Sequence, residues 1–139
     1  MNLNSKTSKI SMIIALCSSI KFSKEILETK NSLEKMGHKV ELPFMKVPNG
    51  IEHSKMKIDL DLIKKHFKKI EKSDAILVLN LDKNGTKNYI GGNSFLEMGK
   101  AFDKGIPIFL LNEIPEVSYK DEIVAMRPNI LNGDLSKIG

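Results

Sequence analysis

Residues 75–111 read AILVLNLDKNGTKNYIGGNSFLEMGKAFDKGIPIFLL. The first five, Ala75 to Leu79, form a continuous apolar run, as does Ile106 to Leu111. Runs this short and this apolar fit strands buried on both faces. Between them lies a polar loop holding Gly85, Gly91 and Gly92. A segment from Ser94 to Lys104 follows, with a helix former at most positions and Gly105 as its stop. Strand, loop, helix, strand is the βαβ unit of a parallel sheet. Pro107 sits near the start of its strand, where a missing donor matters least.

The same unit repeats outward. Ser11 to Cys17 (SMIIALC) is a further buried strand. Ser23 to Met36 follows as an amphipathic helix with Ile26, Leu27, Leu33 and Met36 expected inward and Gly37 as its stop. Val40 to Pro43 is a short second strand, and Pro48, Asn49 and Gly50 mark a loop. Leu60, Ile63, Phe67 and Ile70 recur at helical spacing, so a helix is expected over Ser54 to Lys72, with Lys64, Lys65, Lys68 and Lys69 outward. After the quoted stretch, Tyr119 to Arg127 reads as a helix ended by Pro128, and Asn129 to Leu131 as a fifth strand. The fold class is therefore α/β, a doubly wound five-stranded parallel sheet of flavodoxin or Rossmann-like type, order 2-1-3-4-5. It is expected as one domain over residues 10–139 behind a loose tail at residues 1–9. Ligands of such sheets bind beyond the carboxyl ends of the strands, at the switch between strands 1 and 3. The loops that matter are then Ser18 to Phe22, Asn80 to Asn93 and Asn112 to Pro115.

Composition narrows the function. The 139 residues suit one domain, and about 46% apolar content is ordinary for a globular chain. One cysteine excludes a disulfide scaffold and fits a reducing compartment, so the expected location is cytoplasmic. The apolar stretch Met12 to Cys17 is too short for a secretory signal, and no run approaches a membrane span. Residues 1–72 carry 15 Lys against 8 acids, so +7, and residues 73–139 carry 7 Lys or Arg against 9 acids, so −2. Only Arg127 is an arginine, and aromatics are 6%. Nucleic-acid readers use arginine forks and stacking rings, so the lysines read as a solvated face and nucleic acid is not the expected partner.

Several chemistries lack their signature. No G-x-G-x-x-G follows the first strand and no G-x-x-x-x-G-K-[ST] occurs. His38, His53 and His66 lack metal-ligand spacing and Cys17 stands alone, so neither metal nor cofactor is expected. A nucleophilic Cys17 with a histidine partner is conceivable, but a cysteine at the end of a central strand reads first as a small core residue. The strongest local feature is Gly91-Gly92-Asn93-Ser94-Phe95-Leu96-Glu97-Met98-Gly99. The glycines permit close backbone approach to a ligand, and the helix start favours anionic or polar groups. Glu97 falls in the expected first turn, where Ser94 and Glu97 also spell a capping box. Gly99 within a helix either serves close helix–sheet approach or is a tolerated weakness.

On those residues, GGNSFLEMGKAFDKGIPIFLL resembles the motif of nucleoside 2-deoxyribosyltransferases and the related 2′-deoxynucleoside 5′-phosphate N-hydrolases. ALCSSIKF (residues 15–22) resembles that family's first loop, IEKSDAILVLN (70–80) its third strand, and NILNGDLSKI (129–138) the end of an uncharacterised transferase-like branch. The resemblance implies that Glu97 is a nucleophile attacking C1′ of a 2-deoxyribose, with retaining-glycosidase logic. It implies a nucleoside or nucleotide substrate and a homo-oligomer. Ser18, Ser19, Lys21 and Phe22 would line the substrate with Asn80, Asp82, Gly91, Gly92 and Asn93, and Lys21 is the lysine expected at a 5′-phosphate.

The chain departs from the family in places. Eight positions before the aspartate of the Ser-Asp pair at the third strand the family carries an acid that handles the leaving base; here His66 stands, and a histidine also moves protons near neutral pH. Ser18 replaces a loop glycine. Asp74 precedes the third strand, at the wrong end of the sheet for chemistry. The cytokinin-activating phosphoribohydrolases, with P-G-G-x-G-T-x-x-E, match less well: Gly92 is five before Glu97 and the Gly-Thr pair is missing. A nucleotide sensor without catalysis is the alternative on the same scaffold.

Overall fold

A computed structural model describes residues 10–45 and 61–139. The expected tail, the Pro48–Gly50 loop, His53 and the first turns of the Ser54–Lys72 helix lie outside the described residues. The elements are β1 (Ile13–Cys17), a 3₁₀ turn (Ile20–Phe22), α1 (Ser23–Lys35), β2 (Lys39–Glu41), α2 (Leu62–Glu71), β3 (Ala75–Val78), α3 (Gly92–Asp103), β4 (Ile108–Leu110), α4 (Lys120–Ala125), β5 (Asn129–Ile130) and a final 3₁₀ turn (Leu135–Lys137). The five strands form one parallel sheet, order β2-β1-β3-β4-β5, as the sequence implied. Several elements are shorter than expected: β2 ends at Glu41, α4 at Ala125 and β5 at Ile130.

Strand alternation splits the core in two. Ile14 and Leu16 of β1 and Leu77 and Leu79 at β3 pack with Ile26 and Leu33 of α1, joined by Leu131 and Ile138. Ala15, Cys17, Ile76 and Val78 point to the opposite layer, against Ile70 of α2, Met98 and Ala101 of α3, and Ile123 of α4. Both faces are covered, so the strand residues had to be apolar on both sides. The buried stripe of α1 is narrower than expected. Ile26 and Leu33 are buried, but Leu27 and Met36 are exposed. Leu27 lies about 100° around the helix from Ile26, and Met36 is the C-cap rather than part of the stripe.

Gly37 and Gly105 end α1 and α3 with φ of 95° and 71°. His38 N–H donates to the Leu33 carbonyl (3.1 Å) and Ile106 N–H to the Ala101 carbonyl (2.8 Å). These 6→1 bonds mark Schellman closures, which require left-handed backbone. Asp74 is tied to the opposite edge from the ligand loops: its Oδ2 accepts from the Ile13 amide at 2.8 Å, and its own amide donates to the Ile13 carbonyl at 2.7 Å. Among the described residues, no helix is long and apolar enough to cross a membrane.

Candidate active site

β1 leads to β2 on one side, and the chain returns to β3 on the other. The gap beyond the carboxyl ends of β1 and β3 is therefore the switch point. A cleft of about 360 Å³ lies there, lined by Ser18, Ser19 and Phe22 after β1, by His66 and Phe67 of α2, and by Gly91 to Ser94 and Glu97 at the start of α3. That volume suits a small organic ligand.

α3 begins earlier than its sequence indicated. Gly91 is the N-cap, in extended backbone, and the Phe95 amide donates to the Gly91 carbonyl at 2.9 Å. Ser94 is thus inside the helix and buried, so the capping box does not form. Glu97 moves from the first turn to the second. Its side chain is 12% exposed and lines the cleft. The loop before α3 is held from beneath: the Tyr119 hydroxyl donates to the Ile90 carbonyl, and its ring packs 4.8 Å from that of Phe95. A Cβ at Gly91 would come within 3.2 Å of the Tyr89 ring, so a larger residue there would require that side chain to shift by a few tenths of an ångström. At Gly99 a Cβ would meet nothing within 4 Å. Close helix–sheet approach is therefore not its reason, and it is a tolerated weakness.

α2 crosses over β1 between β2 and β3, on the face to which Cys17 points. His66 Nε2 lies 3.6 Å from Glu97 Oε2 and 3.8 Å from Cys17 Sγ. Burial, reinforced by the Lys69 ammonium, lowers the His66 pKa to about 4, so the imidazole is neutral at physiological pH. Lys69 is held on that side by its bond to the Leu42 carbonyl, at 2.8 Å. His66 Nδ1 is buried with no hydrogen-bond partner among the described residues. Placing the one proton on Nδ1 would orphan a donor and turn the Nε2 lone pair toward a carboxylate. The favoured tautomer carries it on Nε2, facing Glu97. His66 Nε2 thus faces the carboxylate at 3.6 Å, longer than a hydrogen bond, and the ring is neutral near physiological pH. Burial first, then the Glu97 charge and a hydrogen bond to Glu97, push the Cys17 thiol well up, so it is no nucleophile.

The other expected residues divide. Ser18, Ser19, Phe22, Gly91, Gly92 and Asn93 line the cleft with Glu97 and His66. Lys21 is exposed and outside the lining. Lys83 lines the cleft, with its ammonium 3.0 Å from Ser19 Oγ and 5.9 Å from the Tyr89 ring centre. A two-residue hairpin turn presents Lys83. Its amide and carbonyl exchange bonds with those of Thr86, across Asn84 (φ 52°) and Gly85 (φ 78°). Asn-Gly with both φ positive is the type I′ signature, and it was the available clue to order in a stretch that otherwise reads as loop. Asn80 is fully buried and stitches β3 to β4: its amide donates to the carbonyls of Asn112 and Glu113, and its Oδ1 accepts from the Asn112 amide. Asp82 Oδ1 accepts from the Asn88 amide at 2.9 Å. Neither lines the cleft, nor does the Asn112–Pro115 loop.

Among solved structures, the chain is similar to a 2-deoxyribosyltransferase from the psychrotolerant bacterium Bacillus psychrosaccharolyticus, described as a biocatalyst for nucleoside synthesis. The likeness is one of fold. It has a TM-score of 0.55 and 20% sequence identity, and covers 71% of each chain. No protein-family model and no curated protein matches the chain.

Proposed function

We propose that the protein cleaves or transfers at the N-glycosidic bond of 2′-deoxynucleosides or their 5′-monophosphates, with Glu97 as nucleophile. The observation that carries this reading is the Glu97 carboxylate lining the switch-point cleft, faced by a neutral imidazole at 3.6 Å. Glu97 attacks C1′ and forms an ester. The C1′–N bond breaks with its electron pair on the base, which takes its proton from water in the open cleft mouth. Water, or a second base, then attacks C1′ and restores the carboxylate. Ser19 and Lys83 supply a hydroxyl and an ammonium for the 5′ end, and the Tyr89 ring supplies an apolar wall.

The test is chromatographic detection of free base from a panel of deoxynucleosides and deoxynucleotides. Wild type releases base, and Glu97→Gln slows release by roughly 10³-fold or more. No release from any substrate, or equal rates for the variant, overturns the reading. A second acceptor base in the mixture separates transfer from hydrolysis. The absence of an imidazolium at His66 near neutrality favours one alternative, a nucleotide sensor; tight nucleotide binding without turnover over hours identifies it.

A further inference from the structure

Cys17, His66 and Glu97 are far apart in sequence, and their spacing spells no metal motif. The fold nevertheless brings Cys17 Sγ, a ring nitrogen of His66 and a Glu97 carboxylate oxygen within 4.8 Å of one another. Two of the separations are 3.8 Å (S to N) and 3.6 Å (N to O). A tetrahedral zinc with ordinary bond lengths sets its S–N and N–O ligand edges at about 3.5 Å. Those two edges stand within a few tenths of an ångström of that geometry, and the third, sulfur to carboxylate oxygen, lies within 4.8 Å.

We propose that this triad is a binding site for a zinc-like divalent cation. Thiolate, imidazole and carboxylate together suit zinc or cobalt, and the sulfur disfavours magnesium and calcium. Thiolate and carboxylate carry two negative charges, so a divalent ion leaves the buried site neutral. Cys17 supplies the closed side, while His66 and Glu97 line the cleft and leave the fourth position open to it. Three protein ligands plus an open position is the pattern of a reactive rather than a purely structural zinc. On binding, the S–H bond breaks, a sulfur–metal bond forms and the proton leaves to solvent. The ring proton moves from Nε2 to Nδ1, and metal binding has to offset the cost of that buried donor, which has no partner among the described residues. Where the glycosyl reading holds, the cation also occupies the Glu97 carboxylate and stops its attack on C1′.

Cys17 is the sole cysteine of the chain, so a thiolate signal reports this site alone. The experiment titrates chelator-treated, reduced full-length protein with Co²⁺ and follows the near-ultraviolet thiolate-to-cobalt charge-transfer absorption. The expected result is a band saturating at one ion per chain and abolished by Zn²⁺. His66→Gln and Glu97→Gln, each checked for folding by circular dichroism, should each weaken binding by at least about tenfold. No band, or one of unchanged affinity in a folded variant, overturns the site. Should His66→Gln fail to fold, Glu97→Gln carries the test alone. Zinc is further expected to suppress base release in step with occupancy. Cobalt binding in a protein that releases no base would keep the site and dismiss the glycosyl reading. Base release unaffected by bound zinc would dismiss the block on Glu97.

Discussion

His66 lies at 7% side-chain exposure beside Glu97, and its depressed pKa has a consequence for stability. In the unfolded chain its pKa is near 6.5, whereas in the folded protein it is about 4. Above pH 6.5 both states hold it neutral and it costs nothing. As pH falls from about 6.5 toward 4, the unfolded state takes up a proton that the folded state refuses, so stability is lost across that window. Between pH 7.5 and pH 5 the loss from this group is about 2 kcal/mol. Urea unfolding at the two pH values measures it. His66→Gln is expected to show a smaller drop than wild type by roughly that amount; an equal drop in both proteins would mean that His66 is not the group responsible. The other histidines are common to both proteins and cancel in the difference.

Among the elements, α3 governs the site, and it contains one correctable weakness. Gly99 is exposed, and a Cβ there meets nothing within 4 Å. Gly99→Ala is therefore expected to stabilise by up to about 1 kcal/mol, a rise of roughly 4 °C in a thermal melt. No rise, or a fall, would show that the position serves something beyond the helix itself. The strands, their order and the αβ alternation were legible because buried parallel strands are short apolar runs and Gly37 and Gly105 punctuate the helices. The start of α3 was not legible, because Ser94-x-x-Glu97 is a sound capping box and only the backbone from Gly91 shows that the helix begins before it. The loop residues Lys83 and Tyr89 were missed because their place depends on the hairpin turn and on the Tyr119 clamp. Cys17 was missed for a different reason. With both sheet faces apolar, alternation in β1 carries no visible sign of which residues point toward α2 and α3. A core cysteine and one facing a histidine and a glutamate read alike until the crossover of α2 is known.

At the scale of the whole molecule, the mouth of the cleft is rimmed with apolar side chains. Phe44 is 37% exposed, Ile63 38% and Leu96 49%, and all three line the cleft. A second copy of the chain is the occupant we propose for this rim, and it would narrow the opening and limit water at C1′. In a two-fold dimer each copy presents the same patch, so six such side chains are covered. Each is already more than half buried, leaving about 1 kcal/mol apiece to gain. The total of about 6 kcal/mol sits near the low end of the roughly 4–15 kcal/mol cost of association. Self-association resting on these residues alone is accordingly weak and concentration-dependent. Light scattering across a concentration series reaching the millimolar range is expected to show the average mass rising only slightly above one chain, and Ile63→Glu with Leu96→Glu to hold it at one. A single-chain mass at every concentration would show that the protein keeps this rim open to solvent. A multiple that persists in the double variant would place the contact on another face.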